Sequence, residues 1–222
     1  NLQYFVSDKK CQNVLVTSIL PGEGKTFTSV NLASVLAIAE KKVLIIDFDL
    51  HKPRLAKALE LPNDVGVSSV LIGKESIADV IQPTDIPSLS AITSGPIPPN
   101  ASELIMRAEI TSIFEYANQH FDYVVLDTPP ISLITDGLLL MNQVDVKIFV
   151  LNSRYTTKTS IDFIESMVDK NNLDHCALVL NEEKITRMGY YDSKYGYGGY
   201  GYVGYGYGGY GYEDHTSDSN DK

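Results

Sequence analysis

Cysteine is scarce in this 222-residue chain: only Cys11 and Cys176 occur, far apart. That spacing excludes a disulfide framework and offers no metal-ligand motif, so a reducing cytoplasm and two small core residues are expected. Positive charge is also short, with 18 Lys and Arg against 28 Asp and Glu and a net charge of −10. Nucleic acid is therefore not an expected partner, because its phosphates need clustered cations. A single nucleotide needs only local charge and backbone N–H groups, and stays compatible. His51, His120, His175 and His215 are scattered without ligand spacing. No apolar run reaches the roughly 18 residues of a membrane span, and no signal peptide is evident. The chain starts at Asn1 rather than Met, so it is expected to be a piece of a longer protein, with room for an anchor outside it.

What is present is ordinary for a soluble globular domain: 44% hydrophobic and 21% charged residues. The length fits one α/β domain with a tail. Continuous apolar runs at 14–18, 43–46, 123–126, 146–151 and 177–180, with a weaker one at 89–93, read as strands. Runs without polar alternation suit strands buried on both faces. Helical stretches are expected at 25–39, 101–120 and 157–170. Strands alternating with helices imply right-handed crossovers and a parallel sheet flanked by helices, which the Gly-rich Pro21–Thr26 loop after the first strand makes a P-loop NTPase-like sheet. Strand order is not readable.

Composition changes at Gly189. Residues 189–212 hold ten Gly and ten Tyr, and 213–222 are mostly polar and acidic. Such a stretch lacks aliphatic partners for a core, so the expected division is a domain at 1–188 and a disordered tail at 189–222.

Between the first strand and first helix stands Pro21-Gly22-Glu23-Gly24-Lys25-Thr26. Glycines there let backbone N–H groups converge on phosphate oxygens at a helix N-terminus. Lys25 can reach the terminal phosphates and the Thr26 hydroxyl can ligate Mg²⁺. The usual first glycine of such a loop would fall at Ile19. Asp47-Phe48-Asp49 follows the second strand, and Asp127-Thr128-Pro129-Pro130 follows the strand at 123–126. Strand-end carboxylates lie on the edge where open α/β sheets bind ligands. Any one could be a helix cap, but three beside a phosphate loop could hold a metal and leave one to act on a nucleophile.

These motifs, with Pro98–Leu104 and the tyrosine tail, resemble the bacterial tyrosine kinases that regulate capsular and exopolysaccharide synthesis. The resemblance covers essentially the whole chain, and lack of the first glycine is usual in that family. It implies a protein-tyrosine kinase that binds ATP and Mg²⁺ through Pro21, Gly22, Glu23, Gly24, Lys25, Thr26 and Phe27. It implies Thr26, Asp49 and Asp127 as the metal set, Asp47 as the base that takes the tyrosine proton, and Lys25 as the catalytic cation. The order of Asp47 and Asp49 stays open. Asn181 is either a base-recognising residue or a strand-end turn residue. His51 stands where the family usually has Arg, and Lys52 or Arg54 could supply that charge. The family's Glu/Arg-rich helix upstream of the domain is absent or cut before Asn1.

The resemblance also implies autophosphorylation in trans at Tyr190, Tyr191, Tyr195, Tyr197, Tyr200, Tyr202, Tyr205, Tyr207, Tyr210 and Tyr212. A flexible stretch of about 25–30 residues spans on the order of 30 Å, enough to reach a neighbouring copy. Each phosphate adds about −1.5 to −2 charge, so accumulating phosphates are expected to disassemble the oligomer. Expected partners are further copies of the chain, a membrane adaptor of the polysaccharide co-polymerase type, a phosphotyrosine phosphatase and other protein substrates. The implied location is the cytoplasmic face of the membrane. Two other readings compete: a ParA/MinD-like ATPase, and a nucleotide-gated scaffold without chemistry. The former carry a lysine five positions before the P-loop lysine, where this chain has Leu20.

Overall fold

The computed structural model describes residues 10–99, 101–105, 109–131 and 137–182. The glycine–tyrosine tail and its ten tyrosines lie outside the described residues, as does Asn100 of the Pro98–Leu104 segment. Within the described range the elements run β1 (Gln12–Ser18), α1 (Lys25–Ile38), β2 (Val43–Asp47), α2 (Leu55–Ala58), α3 (Val67–Leu71), α4 (Ile77–Val80), β3 (Gln82–Pro83), β4 (Leu89–Ile92), α5 (Ala101–Ile105), α6 (Glu109–His120), β5 (Tyr123–Asp127), α7 (Gly137–Met141), β6 (Val146–Asn152), α8 (Lys158–Asn171) and β7 (Cys176–Asn181).

The apolar runs form one seven-stranded sheet in the order β3-β4-β2-β5-β1-β6-β7. All neighbours are parallel except the short β3–β4 pair. The sheet is thus parallel-dominant rather than wholly parallel, and β3 ends on Pro83 at the outer edge, where a missing N–H is tolerated. Alternate residues of the central strands feed two cores. Val14, Val16, Val43, Ile45, Val125 and Val150 pack with Ala33, Ala37 and Leu55 on one face. Leu15, Leu44, Ile46, Leu126, Phe149 and Leu151 pack with Leu104, Ile110, Phe114 and Ile164 on the other. Burial on both faces is why these strands read as unbroken apolar runs.

Two local choices position the later chemistry. Helix α1 buries Lys25, Ser29, Ala33 and Ala37 at four-residue spacing; its small residues let the backbone approach the sheet. Phe48, immediately after β2, is fully buried and its ring stacks on Phe114 of α6 at 6.4 Å. Burying a phenyl ring contributes about 1.5–3 kcal/mol and pins the turn between Asp47 and Asp49. The helix expected over 101–120 is described in two stretches, α5 and α6, with 106–108 outside the described residues. Helix α8 begins at Thr157, whose hydroxyl accepts from the Ser160 amide, and ends at Asn172 in the left-handed region.

Candidate functional site

Strand β5 lies between β1 and β2, with Asp47 in register with Asp127 and Val16 opposite Asp127. This order gathers the three sequence motifs, each at a C-terminal strand end, onto one edge. Hydrogen bonds lock the arrangement: the Phe48 amide donates to the Asp127 carbonyl (2.8 Å), the Thr128 hydroxyl to the Val16 carbonyl (2.9 Å) and the Thr17 hydroxyl to the Pro129 carbonyl (2.9 Å).

The phosphate loop is braced from within. Gly22 and Gly24 have φ of 85° and 94°, in the region that favours glycine. Gly24 caps α1 without a side-chain hydrogen bond, so the first N–H groups of the helix are left for an anion. Glu23, 1% exposed, accepts the Leu20 amide at 2.7 Å. Its carboxylate therefore serves the loop, and its contribution to ligand binding falls to its backbone. Asn181 at the end of β7 donates from Nδ2 to the Glu23 carbonyl at 3.1 Å. Phe27, by contrast, is 65% exposed at the mouth of the cleft.

The charged groups behave as a buried cluster. Burial lowers the Lys25 pKa below its ordinary 10.5, opposed by the neighbouring Asp127 and Asp49. Burial raises Asp127 from 3.8 to about 6, against the pull of the Thr26 and Ser29 hydroxyls and of Lys25. Ser29 donates to Asp127 Oδ1 at 3.2 Å. Sequence reasoning missed it, although it lies one helical turn after Lys25 on the same face. Asp47 is fully buried and its pKa lies well above the ordinary value, through burial and then Asp127. Its Oδ1 accepts the Asp49 amide (3.0 Å) and its Oδ2 the Leu55 amide (3.1 Å).

Asp49 sits in the cleft wall, and its Oδ1 accepts the amides of Lys52 (2.9 Å) and His51 (3.3 Å). The cleft, of about 680 Å³, is lined by the phosphate loop, Lys25, Thr26, Asp49 and Pro129. His51, Lys52 and Arg54 line it too, so the charge expected from this segment does face the loop. Arg54 lies close enough to Lys25 to press its pKa down further. No group of three or more His, Cys, Asp or Glu suited to hold a metal occurs among the described residues. The carboxylates thus form no closed cage. No helix among the described residues is long and apolar enough to cross a membrane.

The family described as an AAA domain matches residues 14–172. The chain is 36% identical over 199 residues to tyrosine-protein kinase YwqD of Bacillus subtilis, covering 90% of this chain and 82% of that protein. It is 34% identical over 195 residues to tyrosine-protein kinase wzc of Salmonella typhimurium, covering 87% of this chain and 27% of that longer protein. Among solved structures, the kinase domain of Escherichia coli tyrosine kinase ETK superposes with a TM-score of 0.79 at 30% identity, over 88% of this chain and 77% of that one. The cell-division ATPase MinD of Pyrococcus furiosus superposes with a TM-score of 0.65 at 23% identity, over 76% and 71%. That likeness concerns the fold alone, so a MinD-like ATPase is a distant relation.

Proposed function

The chain belongs to the bacterial tyrosine-protein kinase family, and from that premise we propose that it transfers the γ-phosphoryl group of ATP to tyrosine hydroxyls, first those of Tyr190–Tyr212 on another copy. The observation that carries this reading is the convergence of Lys25, Thr26, Asp47, Asp49 and Asp127 on one sheet edge beside an uncapped helix N-terminus.

The fit to a magnesium nucleotide rests on donor chemistry. Gly22 and Gly24 supply the left-handed turns that shape the loop, and the α1 N-terminus and Lys25 supply positive potential. Mg²⁺ keeps several waters and takes one or two carboxylates plus phosphate oxygens, so an open set suits it better than a closed cage. Thr26, Asp49 and Asp127 would hold the ion, which when bound neutralises charge on the phosphates. Asp47 accepts the phenol proton as the bond to phosphorus forms. Burial raises its affinity for a proton, and each oxygen retains a lone pair after accepting one N–H. Asp49, on the cleft wall, completes the metal set. Asn181 contributes to nucleotide binding, and Arg54 with Lys52 supplies the charge that His51 lacks. Most of the rate comes from alignment and charge neutralisation.

The regulatory role follows the family: control of capsular or exopolysaccharide synthesis, from the inner face of the membrane through an adaptor, with a phosphatase resetting the tail. Incubation with Mg-ATP followed by phosphotyrosine mass spectrometry tests the chemistry. Phosphotyrosine in the wild type and none in Lys25→Met is the expected result. Free phosphate without phosphotyrosine would favour an ATPase, and neither product a non-catalytic scaffold.

A further inference from the structure

Strand β7 ends at Asn181, in parallel register with Asn152 at the end of β6. From there its side chain spans to the phosphate loop, 158 residues away in sequence, with Nδ2 donating to the Glu23 carbonyl. The same amide lies directly against Gly24: a Cβ on that glycine would collide with Asn181 Nδ2 and stand 3.2 Å from its Cγ. Gly24 is the residue whose left-handed conformation, φ 94° and ψ 26°, starts α1. The far end of the link is anchored as well. The Asn181 carbonyl accepts the Ser153 amide at 2.9 Å, and the Ser153 hydroxyl donates to the Glu182 carbonyl at 2.8 Å.

We infer that Asn181 is a positioning residue for the phosphate loop, holding the Glu23–Gly24 peptide so that the N–H groups at the head of α1 stay aligned on the polyphosphate. The inference rests on the cleft being the nucleotide site. It gives Asn181 a task that does not involve the base. A loop tethered in its binding geometry has paid its ordering entropy during folding, so less is lost when the anion arrives. A loop freed from the tether must order on binding, and every ligand that uses those N–H groups suffers alike.

The discriminating measurement is calorimetric titration of the full chain with Mg-ATP, Mg-GTP and Mg-tripolyphosphate, which has no base. In Asn181→Ala the inference expects about 5- to 10-fold weaker binding of all three, the worth of one hydrogen bond, with the ATP-to-GTP preference unchanged. Asn181→Asp keeps the size but turns the donor into an acceptor facing a carbonyl, and should lose at least as much. A loss confined to ATP makes Asn181 a base reader and overturns the inference. So does unchanged binding of all three ligands, even with a lowered melting temperature, because that marks a merely structural residue. A wild-type chain that binds none of the three overturns the reading of the cleft itself, and the tether with it.

Discussion

Asp47 and Asp127 stand in register at the ends of two neighbouring parallel strands, both buried, and the Asp127 charge adds to burial in raising the Asp47 pKa. Two carboxylates this close cannot both ionise freely without cations. Lys25 beside them supplies one positive charge, and the cleft is where a second would enter.

The first expectation concerns acidity. Asp127 titrates at 3.8 when unfolded and at about 6 when folded. Between those values the native state binds the proton more tightly, so native stability falls as pH rises through this window. The full penalty is present above about pH 6 and absent below about pH 4. The difference corresponds to about 3 kcal/mol in the ligand-free protein. Denaturant unfolding at several pH values should show the stability of Asp127→Asn minus that of wild type growing by this order from pH 4 to 6.5. A flat difference would contradict the assignment.

Roles within the Asp47–Asp49 pair are separable by kinetics. Asp47→Asn should lower kcat by about 10²- to 10⁴-fold while leaving Mg-ATP affinity within a few-fold, because a base acts in the transition state. Asp49→Asn should weaken binding of the magnesium complex itself, visible as a higher magnesium requirement in titration. Exchange of these two outcomes would exchange the roles.

Glu23 offers a test of internal bracing. Removing its carboxylate in Glu23→Ala deletes the Leu20 amide's acceptor in a partly buried turn, and loss of one such hydrogen bond costs about 0.5–1.5 kcal/mol. Glu23→Gln keeps an acceptor oxygen and should retain most of the stability. Thermal melts of both variants, with ATP affinity beside them, check whether loop order and binding fall together in the alanine variant alone.

Gly24→Ala carries two penalties, a positive φ unsuited to a side chain and a collision with Asn181. The first should cost about 1–3 kcal/mol wherever the backbone stays. Adding Asn181→Ala removes the collision but not the backbone strain. A double-mutant cycle on melting temperature and ATP affinity should therefore be less than additive.

Much of the fold was legible because a sheet covered on both faces writes unbroken apolar runs; every strand read that way is present, but β7 at the edge leaves Leu178 and Leu180 exposed instead of burying both faces. The short elements α2, α3 and α4 and the two-residue β3 left no trace in the pattern, being too brief to show a period. The motif aspartates were legible from chemistry and from their place after apolar runs. Their mutual arrangement was not, since adjacency of β2, β5 and β1 is a property of strand order. Ser29 on Asp127 and the inward turn of Glu23 were also hidden. Both depend on which side of a backbone a short polar chain points, which spacing alone does not give.

The insertion of β5 between β1 and β2 has a consequence for biosynthesis. The phosphate loop and Asp47 are made early, yet among the described residues the two strands that carry them do not pair with each other; α1 packs on both, and β5 fills the place between them in the sheet. A nascent chain that has not yet released β5 from the ribosome holds the loop without its floor and without Asp127. Assembly of the cleft's edge therefore waits on β5, whose insertion brings Asp127 beside Asp47.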